Sequence, residues 1–371
     1  MDGILASQEL RALVAQGAIA PGLPLVAGQV QPSSLDLRLG RRIWRVQCSF
    51  LPGRHAVEKR LAQFAVESFE LGDEPLVLHH RGVYLAEVEE ALALPPDVHG
   101  RANPKSSTGR LDVFVRVLTE EGHAFDVVPA GYRGRLYLEV TPQSFDVGVR
   151  RGDCLSQLRL GRGRSRLGPD ELDALQRSGE PAVYWSNGDA APVEDGDNPG
   201  IQMSVDLHDG EDGVVGYIAR RFRPPVDLAR RDLDPAGWWT PISVEQARDG
   251  LVLEPEAFYI FATRERLCIP PHLCAELVPF DATKGELRTH YAGFIDSGFG
   301  RQKTGLWDRM RGARLVLEIR THDVPFLLEH GQPLFRIELL RNAGVPDVLY
   351  GTGSNYQMQG LKLAKQFRVG A

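Results

Sequence analysis

Short apolar runs separated by Gly, Pro and Asp dominate the chain. Leu76–Leu85, Val113–Leu118, Arg135–Val140 and Cys154–Leu160 are rich in Val, Leu and Tyr and read as strands. Phe258–Thr263, Ala313–Ile319 and Pro333–Leu340 repeat the pattern later. Helical periodicity is clear in two places. At Ser7–Gln16, Leu10, Leu13 and Val14 share one face, and Asp170–Arg177 has the same period. Ser7 before the first helix, with Glu9 in its first turn, reads as an N-terminal signal. Each half is thus a short helix followed by many strands. That order predicts a mainly β protein with a β-barrel or jelly roll in each half and a few short helices.

The two halves also share sequence. VQPSSLDL at 30–37 returns as IQMSVDL at 201–207, and LPPDVHGRANP at 94–104 as IPPHLCAELVP at 269–279. RLYLEV at 135–140 returns as RLVLEI at 314–319, and VRRGDCLSQL at 149–158 as LEHGQPLFRI at 328–337. Four pairs in one order, at nearly constant offset, indicate two copies of one fold. The period is too long for a solenoid. A polar stretch, Gly161–Leu167, marks the boundary, giving domains at 1–165 and 166–371. The segment Ser186–Pro199 reads as a loop before the second copy's first strand.

Composition narrows the function. A length of 371 residues suits two domains, and 43% hydrophobic with 25% charged residues excludes a disordered chain. A net charge of −6 argues against a nucleic-acid partner. The cysteines, Cys48, Cys154, Cys268 and Cys274, form no C-x-x-C pair, so neither a zinc ribbon nor a dithiol redox site is expected. They fit a reducing, cytoplasmic setting. The N-terminus lacks the basic start and apolar core of a signal peptide. No apolar run approaches about 18 residues, so no membrane partner is expected.

Two segments could carry chemistry. NPKSSTGRL at 103–111 places a lysine, two serines, a glycine and an arginine together, a composition suited to cradling phosphate and equally to a polar turn. In GRLYLEV at 134–140, Glu139 interrupts an apolar strand, and alternation puts it on the face of Arg135 and Tyr137. Such a carboxylate is solvated, paired with an arginine, or a base. Glu318 occupies the matching place in RLVLEI.

The order QPSSLDLRLG (31–40), PKSSTGRL (104–111), YRGRLYLE (132–139) and RRGDCLSQL (150–158) resembles the dCTP deaminase family, which shares its fold with trimeric dUTPases. The family motif S-S-x-x-R-L is matched by Ser106, Ser107, Arg110 and Leu111, and its strand W/Y-x-G-x-x-x-L-E by Tyr132, Gly134, Leu138 and Glu139. SNYQMQG at 354–360 is similar to the family's C-terminal tail. The resemblance implies two tandem dUTPase-like domains and a zinc-independent deamination of dCTP to dUTP and ammonia. It agrees with the lack of the H-x-E and P-C-x-x-C signature of zinc deaminases. Glu139 would then be the base that activates water. Ser106 would hold the water or the base, Arg110 would orient Glu139, and Lys105 and Ser107 would meet the phosphates. Mg2+ would ride with the triphosphate, without a dedicated protein cage. The partners implied are small nucleotides, dCTP first, with dUTP and dTTP as further candidates.

The chain departs from the family in its hairpins. The family's hairpin aspartate contacts sugar or water. In FDVVPAGYRG, Pro129 stands at its place and Asp126 comes three residues early. The second copy, AGFIDSGFG, keeps the aspartate as Asp296, but its loop PFDATKGEL has Asp281 at the first serine and Gly285 at the arginine. Two readings stay open for that copy. Asp296, Glu318, Tyr356 and Gln359 contribute to a composite substrate site, or the copy is a scaffold. The rival activities are dUTP pyrophosphohydrolysis, alone or beside deamination, and nucleotide binding without turnover. A homotrimer closes most simply, and a dimer is the alternative. Trp238–Trp239 reads as a core or interface pair, Gly161-x-Gly163 as a linker, Arg220–Arg223 as a solvated basic patch, and His79–His80 as a surface turn without an acidic partner at metal-ligand spacing.

Overall fold

The computed structural model describes residues 2–193, 200–278, 287–289, 293–301, 312–321, 323–351, 356–357 and 359–368. Strands dominate, as expected, and the chain divides into two compact units. The first comprises Met1–Arg164 together with Arg221–Leu233 and Ala364–Arg368. The second comprises Ser165–Arg220, Asp234–Leu363 and Val369–Ala371.

The first unit opens on helix α1 (Ser7–Ala15), which buries Leu10 and Leu13. Its N-cap is Ala6 rather than Ser7, and Glu9 accepts the Ala6 N–H at 2.8 Å, so the acidic first turn holds the start. The main strands are β1 (Leu35–Val46), β2 (Val83–Ala93), β3 (Val98–Pro104), β4 (Val113–Thr119), β5 (Arg133–Pro142) and β6 (Cys154–Arg162). Their order in the sheet is β4-β5-β2-β1-β6-β3, followed by the short strand Val127–Val128. All of these pairings are antiparallel.

A sheet of this length has two edges, and Asp126 stitches them together. Its N–H donates to Val117 O at 2.9 Å, and its Oδ1 accepts the Val117 N–H at 2.8 Å, both on β4. Its carbonyl accepts the Ala102 N–H of β3 at 2.9 Å. Making all three bonds requires a left-handed backbone (φ 61°), which an aspartate tolerates better than most residues. Closing the barrel in this way removes exposed strand edges.

Inward side chains such as Leu35, Leu37, Leu136, Leu138 and Leu158 are fully buried. Each contributes about 1.5–3 kcal/mol by leaving water. The strand β5 does not alternate between buried and exposed. Residues 136–140 are all buried, because a segment outside the barrel covers the second face. That segment, residues 47–64, ends in helix α2 (Val57–Phe64). Its Val57 and Leu61 pack with Val46 on Leu85, Leu118 and Tyr137.

The remaining pieces of the first unit come from far along the chain. Val226–Asp227 adds a parallel strand to Val147–Val149, and Arg150 grips Asp227 at 2.5 and 2.9 Å. Residues 364–368 lie along this piece through the Leu233 N–H to Gln366 O and the Arg368 N–H to Leu233 O.

The second unit begins with the expected helix, here Pro169–Gln176. Its main strands are Ile201–Asp206, Phe258–Leu267, Leu273–Val278, Ala313–Thr321 and Pro333–Arg341. They pair with one another as β1, β2, β3, β5 and β6 do. Its own core is built from residues such as Met203, Phe261, Leu317 and Ile337. No helix is long and apolar enough to cross a membrane among the described residues.

Candidate functional site

The expected base and the expected cradle both lie in the first unit. Glu139 is on β5, opposite Leu85 of β2 and Arg116 of β4. It is 4% exposed. Arg116 donates from Nε at 3.2 Å and from Nη2 at 2.5 Å, both to Oε1. Among the described residues, Oε2 receives no hydrogen bond. A buried carboxylate with one oxygen anchored and the other open can take a proton from water.

Arg116 is itself held. Its guanidinium carbon lies 3.6 Å from the Phe125 ring centroid and 4.7 Å from that of Phe114. Its Nη2 also donates to Ser49 Oγ at 2.8 Å. The resemblance assigns the orienting role to Arg110, whereas the guanidinium bound to Glu139 is that of Arg116. Arg110 is buried at the C-terminal end of the short helix α3 (Ser106–Gly109). The signal for Arg116 was present as a second charge inside an apolar strand, VFVRVL, but cross-strand register is invisible in the sequence.

Asp126 is half-buried next to this pair. Desolvation, then the charge of Glu139, pushes its carboxyl up to about 7, against the pull of Val117 N–H, Arg116 and Arg101. The structure places this candidate substrate contact in the barrel seam.

The cradle follows β3. Lys105 caps α3, with its N–H on Leu155 O at 3.0 Å. Ser106 is half-buried and Ser107 buried. The Lys105 ammonium forms an ion pair with buried Asp36 Oδ2, while Asp36 Oδ1 has no hydrogen-bond partner among the described residues. Burial raises the Asp36 carboxyl, and Lys105 opposes it. A second lysine, Lys365, reaches the same region from residues 364–368. Burial, then Arg231 and Lys105, push its ammonium down. Burial pushes the neighbouring Cys154 thiol up to about 12, so it stays protonated at neutral pH and is no nucleophile.

The second unit's candidates are placed differently. Glu318 and Asp296 are buried. Tyr356 is buried under Lys362, and Gln359 is tied to the strand bearing Arg314. Gln359 Nε2 donates to Arg314 O at 3.2 Å, and the Arg314 N–H to Gln359 O at 3.1 Å. Asp281 and Gly285, with most of the loop Pro279–Leu287, lie outside the described residues, as do Ser354, Asn355 and Met358 of the tail.

His79 and His80 share an acidic partner from far along the chain. Asp146 holds both Nδ1 atoms at 2.9 Å, from 66 residues beyond His80. The rings remain exposed. Among the described residues, no group of three or more His, Cys, Asp or Glu is placed to hold a metal. Trp239 is buried against Phe258 with ring centroids 6.0 Å apart, which makes it a core residue.

Comparison with known proteins follows the same division. Residues 1–164 match the family model of the 2'-deoxycytidine 5'-triphosphate deaminase N-terminal domain, and residues 176–367 that of its C-terminal domain. The crystal structure of 2'-deoxycytidine 5'-triphosphate deaminase from Agrobacterium tumefaciens is 40% identical, with a TM-score of 0.85. The match covers 93% of this chain and 99% of that one. A dCTP deaminase of Halorubrum lacusprofundi is 29% identical over 37% of this chain and 66% of its own length. A dUMP-forming dCTP deaminase of Thermobifida fusca is 33% identical over 42% of this chain and 78% of its own.

Proposed function

The chain belongs to the 2'-deoxycytidine 5'-triphosphate deaminase family, and on that basis we propose that its first unit deaminates dCTP hydrolytically, giving dUTP and ammonia. The observation that carries this reading is the half-anchored Glu139, with Oε1 fixed by Arg116 and Oε2 open. Water adds to C4 of the cytosine ring as Glu139 takes its proton. The C4–N4 bond breaks, one water proton leaves with the nitrogen as ammonia, and the other ends on ring N3. Ser106 holds the water beside Glu139. Ser107 and Lys105 meet the phosphates, with the Lys105 ammonium exchanging Asp36 for phosphate oxygen.

Mg2+ would arrive with the nucleotide and would offset the charge of its phosphates. The residues fit such an ion. Asp36 Oδ1 is a buried acceptor without a partner, suited to a water on a phosphate-held cation. For the second unit we propose a scaffold role. Gln359, one of its candidate residues, is taken up in the unit's own packing. The setting is the cytoplasm, where four free cysteines are stable. The assembly is a homotrimer.

Dephosphorylation to dUMP is the second reading. It is favoured by the dUMP-forming relative from Thermobifida fusca. Incubation with dCTP and Mg2+, assayed for ammonia and pyrophosphate, separates the readings. Ammonia alone means deamination, and both products mean a two-step enzyme. Bound nucleotide with neither product means the deaminase reading is wrong.

A further inference from the structure

Residues 47–64 are pinned to the barrel at three polar points. Ser49 Oγ accepts Arg116 Nη2 at 2.8 Å, the Gly53 N–H donates to Gly122 O at 2.9 Å, and the Val57 N–H donates to Glu120 Oε2 at 2.7 Å. Between these pins, Phe50 and Phe64 meet with ring centroids 5.9 Å apart. Phe50 joins the apolar cluster of Val57, Leu61, Leu118 and Tyr137, and Phe125 packs on the same cluster. The covered face is the one that carries Glu139. Among the described residues, the first of these pins is the segment's polar link to the catalytic carboxylate, and it runs through Arg116.

We propose that Arg116 is the positioning residue for Glu139, and that Ser49 couples the 47–64 segment to it. This rests on reading Glu139 as the base. The geometry leaves the guanidinium little freedom. Phe125 and Phe114 fix its plane, and Nε and Nη2 converge on Oε1. Nη2 is shared with Ser49 Oγ, so turning the guanidinium breaks both contacts at once. A lysine ammonium would keep the charge but lose the planar fork and the stacked faces. Ordering of the 47–64 segment and alignment of the base are therefore one event.

The test uses the full chain, with ammonia release from dCTP as the assay. Arg116→Ala is expected to lower kcat by about 100-fold, the cost of a misplaced catalytic group, with KM held within about threefold. Millimolar methylguanidinium, a mimic of the missing side-chain head, should restore at least about a tenth of the lost kcat. Arg116→Lys should fall between the two, and Ser49→Ala should lose about three- to tenfold in kcat alone. A kcat for Arg116→Ala within twofold of the parent overturns the proposal. So does a loss that Arg116→Lys shares fully and methylguanidinium leaves unmoved, since that marks a merely structural arginine. An unaffected Ser49→Ala overturns the coupling to the segment. If the unmodified protein releases no ammonia, the deaminase reading has failed instead.

Discussion

Asp36 and Asp206 hold matching places in the two units, and their surroundings differ sharply. Asp206 is saturated. Its Oδ1 accepts the N–H groups of His208 and Asp209 at 3.0 and 2.9 Å, and its Oδ2 accepts Arg314 Nη2 at 2.6 Å. Arg314 is saturated in turn, with Nε on Thr263 O and Nη1 on Asp209 O. Asp36 has one partner, a lysine on the cradle loop, and an idle Oδ1. The first unit's strand carboxylate is half-paired as well. Glu139 is gripped on one oxygen by Arg116, which a covering segment also touches. Polar groups that are fully paired rigidify a fold, whereas incomplete pairing leaves donors and acceptors for a ligand. The duplicated barrel has thus kept the second arrangement in one copy and the first in the other.

Three substitutions sharpen this comparison. The largest effect belongs to Asp206→Asn, which breaks a buried ion pair and leaves Arg314 uncompensated. Chemical denaturation should show a loss of about 3–5 kcal/mol in the second unit, while turnover per folded molecule is retained. A stable variant with impaired turnover would place chemistry in the second unit. Next comes Lys105→Met, which removes a charged hydrogen-bond donor. A fall in kcat/KM for dCTP of about 10- to 100-fold is expected from steady-state kinetics, the equivalent of about 1.5–3 kcal/mol. An unchanged value would make the Lys105–Asp36 pair as structural as its counterpart.

The smallest effect concerns pH. Asp126 has its carboxyl raised to about 7 in the folded state from an ordinary 3.8. Between those limits the folded protein holds a proton that the unfolded chain has released, so stability falls as pH rises from about 4 through about 7. Asp126→Asn keeps the acceptor for Val117 N–H but cannot ionise. It should flatten that slope, raising the melting temperature at pH 8 by a few degrees relative to the parent. An unchanged slope would mean that the seam carboxylate does not titrate there.

Much of this was legible in the sequence, and the omissions have physical causes. Short apolar runs bounded by Gly, Pro and Asp, together with the internal repeat, disclosed two β-barrels because strand patterns and duplication are local signals. Glu139 and the cradle stood out as polar residues in apolar or glycine-bearing contexts. Arg116 did not, because its meaning depends on lying opposite Glu139 across two strands. Helix α2 was missed because it buries only Val57 and Leu61, too few to set a helical period. The link from Asp146 to His79 and His80 spans more than sixty residues, as does that from Asp36 to Lys105. The recruitment of residues 221–233 and 364–368 into the first unit left no mark in the local pattern.

The most direct test of the account is ammonia release from dCTP by Glu139→Gln, with nucleotide binding measured on the same sample. Glutamine keeps the size and the Arg116 contact but cannot accept the proton. Turnover should fall by about a thousandfold with binding within a few-fold of the parent. Retention of a tenth or more of the parent's turnover would contradict the assignment of the base, and with it the claim that the first unit carries the chemistry.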